Sequence, residues 1–236
     1  MIAALVLALS MSATDEVSTP ECVILLHGLA RTSRAMEDME EALEENGYRV
    51  ANVGYPSRDY AIEELAPMAI DEGLERCGDA ATVHFVTHSL GGILVRYYYA
   101  DHDVERVGRV VMLAPPNQGS KVADALGDMP GFDWLNGPAG SQLGKGEGSI
   151  PLSLGVPAFE FAVIAGNRSI DPVSSAILDN PDDGKVSVED TKLEGMSDFR
   201  VVDVSHAFIM QNDEVMELVV AFLKTGRFGD SDDDPE

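Results

Sequence analysis

The apolar run Thr82 to Thr87 passes, with no room for a loop, into His88-Ser89-Leu90-Gly91-Gly92. A stretch follows whose apolar residues Leu94, Tyr97 and Tyr98 recur at helical spacing. A continuous apolar strand is buried on both faces, and such strands belong to parallel sheets covered by helices. The turn that joins this strand to its helix is the tightest constraint in the chain. Its flanking residues have to be small where the two backbones come close, and Gly91 and Gly92 meet that need. Thr87, larger and β-branched, asks for a slightly more open turn. Ser89 occupies the tip, where its hydroxyl would stand above the sheet edge as a nucleophile. A serine hydroxyl is a weak nucleophile alone, so a base must come from elsewhere in the chain.

The same alternation of strand and helix runs through the sequence, which predicts an α/β fold. Strands are expected at Val23 to Leu26, Tyr48 to Val53, Thr82 to Thr87, Arg109 to Leu113, Phe161 to Ala165 and Arg200 to Val204. Met36, Met39 and Leu43 mark a helix that Ser33 would cap and Gly47 would end. Ile62, Leu65, Ala69, Ile70 and Leu74 mark a second, with Pro67 near its start or kinking it. Val215, Leu218, Val219 and Phe222 stripe the last. From Pro115 to Pro157 the rhythm breaks into a long stretch rich in Gly, Pro and Ser. Its centre holds Trp134, the only tryptophan. A long irregular stretch inside a compact domain is a lid or substrate wall, or a surface loop pinned by one aromatic cluster. Trp134 is the candidate substrate-binding residue.

Charge narrows the partners. The chain carries 41 acidic and 16 basic residues, a net charge of −25. Such a surface repels phosphate backbones and anionic bilayers, which argues against nucleic acid and lipid surfaces as partners. Ile2 to Leu9 is apolar and leads into small and polar residues, the pattern of a signal peptide over 1–13, although that region holds no Lys or Arg. The apolar run is too short to cross a bilayer. Export to the periplasm or the medium is therefore expected, with no integral membrane segment in the mature chain. The acidic end, 226–236, is expected to be a disordered tail.

Cys22 and Cys77 each stand just before an apolar run. If those runs are neighbouring parallel strands, both cysteines lie at one end of the sheet. A Cys22–Cys77 disulfide is then possible in an oxidising compartment; the alternative is two buried thiols. Two cysteines are too few for a Cys-based zinc site.

The base for Ser89 is expected to be His206, on the loop after the last strand and before the last helix. His84 lies inside a strand, His88 flanks the nucleophile, and His102 sits in a polar run. The acid that orients the base should lie between the fifth strand and His206, where Asp171, Asp179, Asp182, Asp183, Glu189 and Asp190 all occur. Asp183 is chosen because Asp183-Gly184-Lys185-Val186 forms a tight turn able to aim a carboxylate at the histidine. Asp182 and Asp171 are the runners-up. The carboxylate would fix the imidazole tautomer and stabilise the imidazolium without taking the proton.

At Leu25-Leu26-His27-Gly28-Leu29, Val86-Thr87-His88-Ser89-Leu90-Gly91-Gly92, Pro116-Asn117-Gln118-Gly119-Ser120, Asp183-Gly184-Lys185-Val186 and Ser205-His206 the chain resembles the lipase-like α/β-hydrolases, in particular exported bacterial lipases and esterases of the EstA type. The likeness runs from about Glu21 to about Leu223, within a single domain expected over 21–225. It implies a minimal α/β-hydrolase fold: a mostly parallel six-stranded sheet with helices on both faces. It also implies a carboxylic ester hydrolase with a Ser89-Asp183-His206 triad and no metal or organic cofactor, acting on an ester or lipid substrate. Backbone N–H groups of Leu29 and Leu90 would form the oxyanion hole, and His27 would shape the loop. Two other readings share these residues: an acyltransferase or thioesterase with the same triad, and a non-catalytic binding protein on the same fold.

Overall fold

The computed structural model describes residues 21–127 and 132–229. The expected signal peptide, 1–13, lies outside them. Six strands, β1 (Cys22–Leu26), β2 (Arg49–Val53), β3 (Val83–His88), β4 (Val107–Leu113), β5 (Glu160–Gly166) and β6 (Asp198–Val202), make one sheet. Its order is β2-β1-β3-β4-β5-β6, and every neighbouring pair is parallel. In chain order the helices are α1 (Glu37–Glu45), α2 (Ile62–Cys77), α3 (Leu90–Tyr98), α4 (Lys121–Gly127), α5 (Phe132–Ser141), α6 (Ile150–Ser153), α7 (Pro172–Ser175), α8 (Val188–Thr191) and α9 (Asp213–Thr225).

Side chains alternate across a strand, so each strand feeds two cores. Ile24, Leu26, Phe85, Val110 and Met112 point to the face covered by α2 and α3. Val23, Leu25, Val86, Val111 and Leu113 point to the face covered by α1 and α9. Helix α9 shows how the sequence builds one such cover. Asn212 Oδ1 accepts the N–H of Val215 and caps its start, Val215, Val219, Phe222 and Leu223 are buried, and Gly226 in the left-handed region (φ 79°) ends it. Phe228, placed by sequence in the acidic tail, is buried against Phe222 at 5.4 Å between ring centroids. The rest of that tail, from residue 230, lies outside the described residues.

From β1 the chain moves out to β2 and returns past β1 to β3. The helices after β1 and β3 therefore pack on opposite faces, and their loops diverge at the carboxyl ends of those two strands. This divergence leaves a crevice, the place where open parallel sheets bind ligands. His27-Gly28-Leu29 and Ser89 flank it.

Several local expectations shift. Ser33 opens a 3₁₀ turn, Ser33–Met36, and makes no capping bond to α1. Pro67 lies inside α2. Strand β6 ends at Val202, two residues earlier than expected, because the Val204 N–H bonds the Val202 carbonyl and turns the chain off the sheet. The stretch from Pro115 to Pro157 is not irregular: it contains α4, α5 and α6. Its prolines and glycines sit where short helices tolerate them, Pro151 in the first turn of α6 behind the Ser149 cap and Gly137-Pro138 at a break in α5. Buried Arg96 from α3 anchors this stretch, donating to Asn117 and to the carbonyls of Pro151 and Leu154. No helix among the described residues is long and apolar enough to cross a membrane.

Cys22 at the start of β1 and Cys77 at the end of α2 form a disulfide, with their Cα atoms 5.7 Å apart. The bond ties the sheet to its covering helix across 55 residues of sequence. Closing a loop of that length restricts the unfolded chain by about 4 kcal/mol in the chain-entropy treatment. Replacing both cysteines by alanine is expected to lower unfolding free energy by roughly 2–4 kcal/mol. A urea titration of the two proteins measures it, and an unchanged midpoint would show that the cross-link adds nothing.

Candidate active site

Ser89 sits between β3 and α3 with φ 51° and ψ −115°, a backbone state that side chains rarely adopt. Its N–H donates to the Leu113 carbonyl at 2.9 Å, which holds the end of β3 against β4 while the chain reverses. The glycines after it are needed for space. A Cβ on Gly91 would lie 2.7 Å from the Leu26 carbonyl oxygen of β1. Gly92 packs on Thr87 and Pro115, where an added Cβ would still be 3.2 Å from Thr87 Oγ1. Thr87 is accommodated by full burial in this arrangement. Among the described residues the non-glycine positions with positive φ are Ala30, Ser89 and Ala114. They follow β1, β3 and β4 at one sheet edge, and strain gathered at one place is a mark of functional sites.

Asp183 and His206 meet at that edge. His206 Nδ1 lies 2.7 Å from Asp183 Oδ2, and the His206 N–H donates to the Asp183 carbonyl at 3.0 Å. The other carboxylate oxygen, Oδ1, accepts the N–H groups of Lys185 (2.9 Å) and Val186 (2.8 Å). The tight turn fixes the carboxylate by its own backbone, with Gly184 at φ 96° supplying the reversal. Asp183 is 1% exposed. The other carboxylates have different partners. Asp182 accepts from Ser175 and the Gly184 N–H. Asp171 caps α7 and pairs with Lys185, whose ammonium, with Ser174, holds its carboxyl far below the usual range. Asp179 pairs with Lys121, Glu189 with Lys192, and Asp190 with Lys145.

The remaining histidines are engaged elsewhere. His27 Nε2 accepts the Tyr55 N–H, its Nδ1 bonds the Gly28 carbonyl, and its ring stacks on Tyr55 at 4.0 Å. It shapes the loop after β1. His84 links Glu21 to the Arg109 N–H, and His102 stacks on Tyr98. His88 has a place that the sequence left unread. Its Nε2–H donates to the His206 carbonyl at 3.1 Å, and its ring packs 4.7 Å from the His206 ring. It thus braces the loop that carries His206. A histidine next to a turn residue gives no sign of that in sequence.

Burial holds the imidazoles of His27 and His84 below their ordinary value of 6.5. Burial, with the nearby charges of His206 and Arg31, holds that of His88 well below it. The unfolded chain takes up these protons at the ordinary value and the folded chain does not. Stability from this source is therefore complete above about pH 6.5 and declines as the pH falls below it. Urea midpoints are expected to fall steadily between about pH 7 and about pH 5; a flat profile would contradict the neutral, buried assignment.

Ser89, His88 and His206 line one cavity of about 340 Å³ with Leu29, Leu143 and Val186. Gly28 brings the loop after β1 close: a Cβ there would lie 3.3 Å from the Ser89 Cβ. Leu29 follows Gly28 on the cavity wall. Leu90 is the first residue of α3, where backbone N–H groups lack an acceptor within the helix. Trp134 falls in α5, but its side chain lies outside the described part of the structure.

No family model matches this chain, and no curated protein matches it either. Solved structures do. The mature form of the Bacillus licheniformis lipase BlEst2 superposes with a TM-score of 0.74 over 91% of this chain and 96% of its own, at 19% identity. The chain has the α/β-hydrolase fold. The metagenomic carboxyl esterase MGS0156 matches with a TM-score of 0.65 over 82% of this chain and 66% of its own, at 19% identity. A structure described under LipS and LipT, two metagenome-derived lipolytic enzymes, matches with a TM-score of 0.58, covering 88% and 95%, at 16% identity. The six strands among the described residues match the minimal form that the family resemblance implies, and the likeness to bacterial lipases and esterases is one of fold.

Proposed function

We propose that the chain is an exported serine hydrolase of carboxylic esters, with Ser89 as nucleophile, His206 as general base and Asp183 as the acid that orients it. One observation carries the reading: a buried carboxylate held by two backbone N–H groups bonds Nδ1 of a histidine that shares a cavity with a serine on a strained strand-to-helix turn. With Nδ1–H given to Asp183, the other ring nitrogen is the unprotonated one, free to take a proton. His206 removes the Ser89 proton as the oxygen attacks the ester carbonyl. The Leu29 and Leu90 N–H groups receive the oxyanion, and the start of α3 adds its positive end. The imidazolium then gives its proton to the departing alcohol. Water enters, His206 activates it, and the acyl group leaves Ser89.

The pairing of Cys22 with Cys77 fits an oxidising compartment and supports export. The fold relatives described as lipases, esterases and lipolytic enzymes support ester or lipid substrates as the class. The reading is tested by p-nitrophenyl esters from acetate to laurate, with release of alcohol and acid followed together. Turnover with equal yields of both is expected. Folded protein that turns over none of them would contradict it, and acyl transfer to an added alcohol in preference to water would favour the transferase reading.

A further inference from the structure

We propose that the active-site cavity accepts esters that carry an anionic group, and that Arg31 is the residue that selects for it. The inference deepens the hydrolase reading and rests on it. Acidic residues outnumber basic ones by 41 to 16 in this chain. The cavity around Ser89 inverts that balance: Arg31 and Lys185 line it, and no Asp or Glu among the described residues does. Lys185 is already committed to Asp171 at 2.8 Å. Arg31 is not committed. Its guanidinium has neither hydrogen-bond nor ion-pair partner among the described residues, whereas Arg49, Arg109, Lys121, Lys145 and Lys192 each sit on a carboxylate.

The other cationic side chains with neither a hydrogen-bond nor an ion-pair partner among the described residues, Arg34, Arg58 and Arg168, follow β1, β2 and β5. These are the carboxyl ends of the strands, the edge that carries Ser89. In a chain with carboxylates to spare, the guanidiniums left without any partner among the described residues therefore lie past the carboxyl ends of the strands, on the side of the cavity. Arg31 stands three residues past Gly28, which packs beside Ser89, and its charge is felt at buried His88. A guanidinium offers a fork of donors that fits a carboxylate or phosphate and stays charged at any working pH. A substrate anion held there forms a charge-assisted bond while its ester carbonyl reaches Ser89. The strong negative charge of the remaining surface discourages anions from binding elsewhere.

Two matched pairs of esters test this and separate the two sources of the anion. Mono-p-nitrophenyl glutarate against p-nitrophenyl methyl glutarate, corrected for spontaneous hydrolysis, places a carboxylate on the acyl side. Butyrylglycerol phosphate against monobutyrin places a phosphate on the alcohol side. The anionic member of at least one pair is expected to have a kcat/KM about fivefold to tenfold higher, a modest range because Arg31 is exposed and its charge is screened by solvent. Arg31→Gln should bring that ratio close to unity. The ratio within one preparation cancels any loss of active protein. Equal or better turnover of the neutral member in both pairs overturns the proposal, as does a ratio unchanged in Arg31→Gln. Failure of all four esters overturns it too, and covalent labelling of Ser89 by a fluorophosphonate then decides whether the hydrolase reading falls with it.

Discussion

Replacing Ser89 by alanine is expected to lower ester turnover by about 10⁵- to 10⁶-fold, down to what the cavity and its N–H groups supply without a nucleophile. Stability should hardly move. Alanine keeps a Cβ, so the strained backbone at φ 51° costs the same in both proteins. The lost hydroxyl is not needed for the turn, because the contact that holds it is the Ser89 N–H to the Leu113 carbonyl. Ser89→Gly separates the two roles. It should be as inactive as the alanine variant yet more stable by about 1 kcal/mol or more, because glycine adopts positive φ without penalty. Comparing kcat/KM and thermal midpoints of the three proteins checks both statements. Retention of more than about one per cent of activity in Ser89→Ala would remove Ser89 from the mechanism.

The second large effect is expected from Asp183→Asn, a loss of about 10⁴-fold in kcat with KM little changed. The geometry gives the reason. Asp183 Oδ1 accepts two backbone N–H groups, from Lys185 and Val186, and Oδ2 faces His206 Nδ1. Asparagine has one acceptor oxygen. That oxygen must stay on the two backbone donors, because its amide group would present hydrogens to them. The amide then faces His206 and donates to Nδ1. This drives the imidazole proton onto the nitrogen that should be empty, and the ring can no longer take a proton from Ser89. The same substitution at Asp182, whose partners are Ser175 and the Gly184 N–H, should leave kcat within a few fold. Equal losses at the two positions would mean that the variants act through the fold of the turn and not through the histidine.

Much of this was legible in the sequence because its causes are local. A strand that meets a helix at a serine with two glycines behind it has few backbone solutions, and the structure adopts the tight one. The two cores follow from alternation along strands that are apolar on both faces. The short turn at Asp183-Gly184 could be read from its glycine. What could not be read depends on distance across the fold. The tight turn favours Asp183 over the adjacent Asp182 in sequence, but the bond from Asp183 to His206, which Asp182 does not make, depends on the path of the chain through β6. The helices between Pro115 and Pro157 were hidden because their order comes from Arg96, a cation buried by residues far along the chain. His88 and Arg31 were passed over for a similar reason. Nothing local in the sequence sets His88 or Arg31 beside Ser89; the cavity that all three line does.

The central claim is that His206 activates Ser89, and the most direct measurement is reaction of the folded protein with a fluorophosphonate, followed by intact and peptide mass spectrometry. The predicted result is one adduct per chain, carried by the peptide that contains Ser89, with labelling much slower in Asp183→Asn. Folded protein that stays unlabelled, or carries its adduct on another serine, would contradict the assignment.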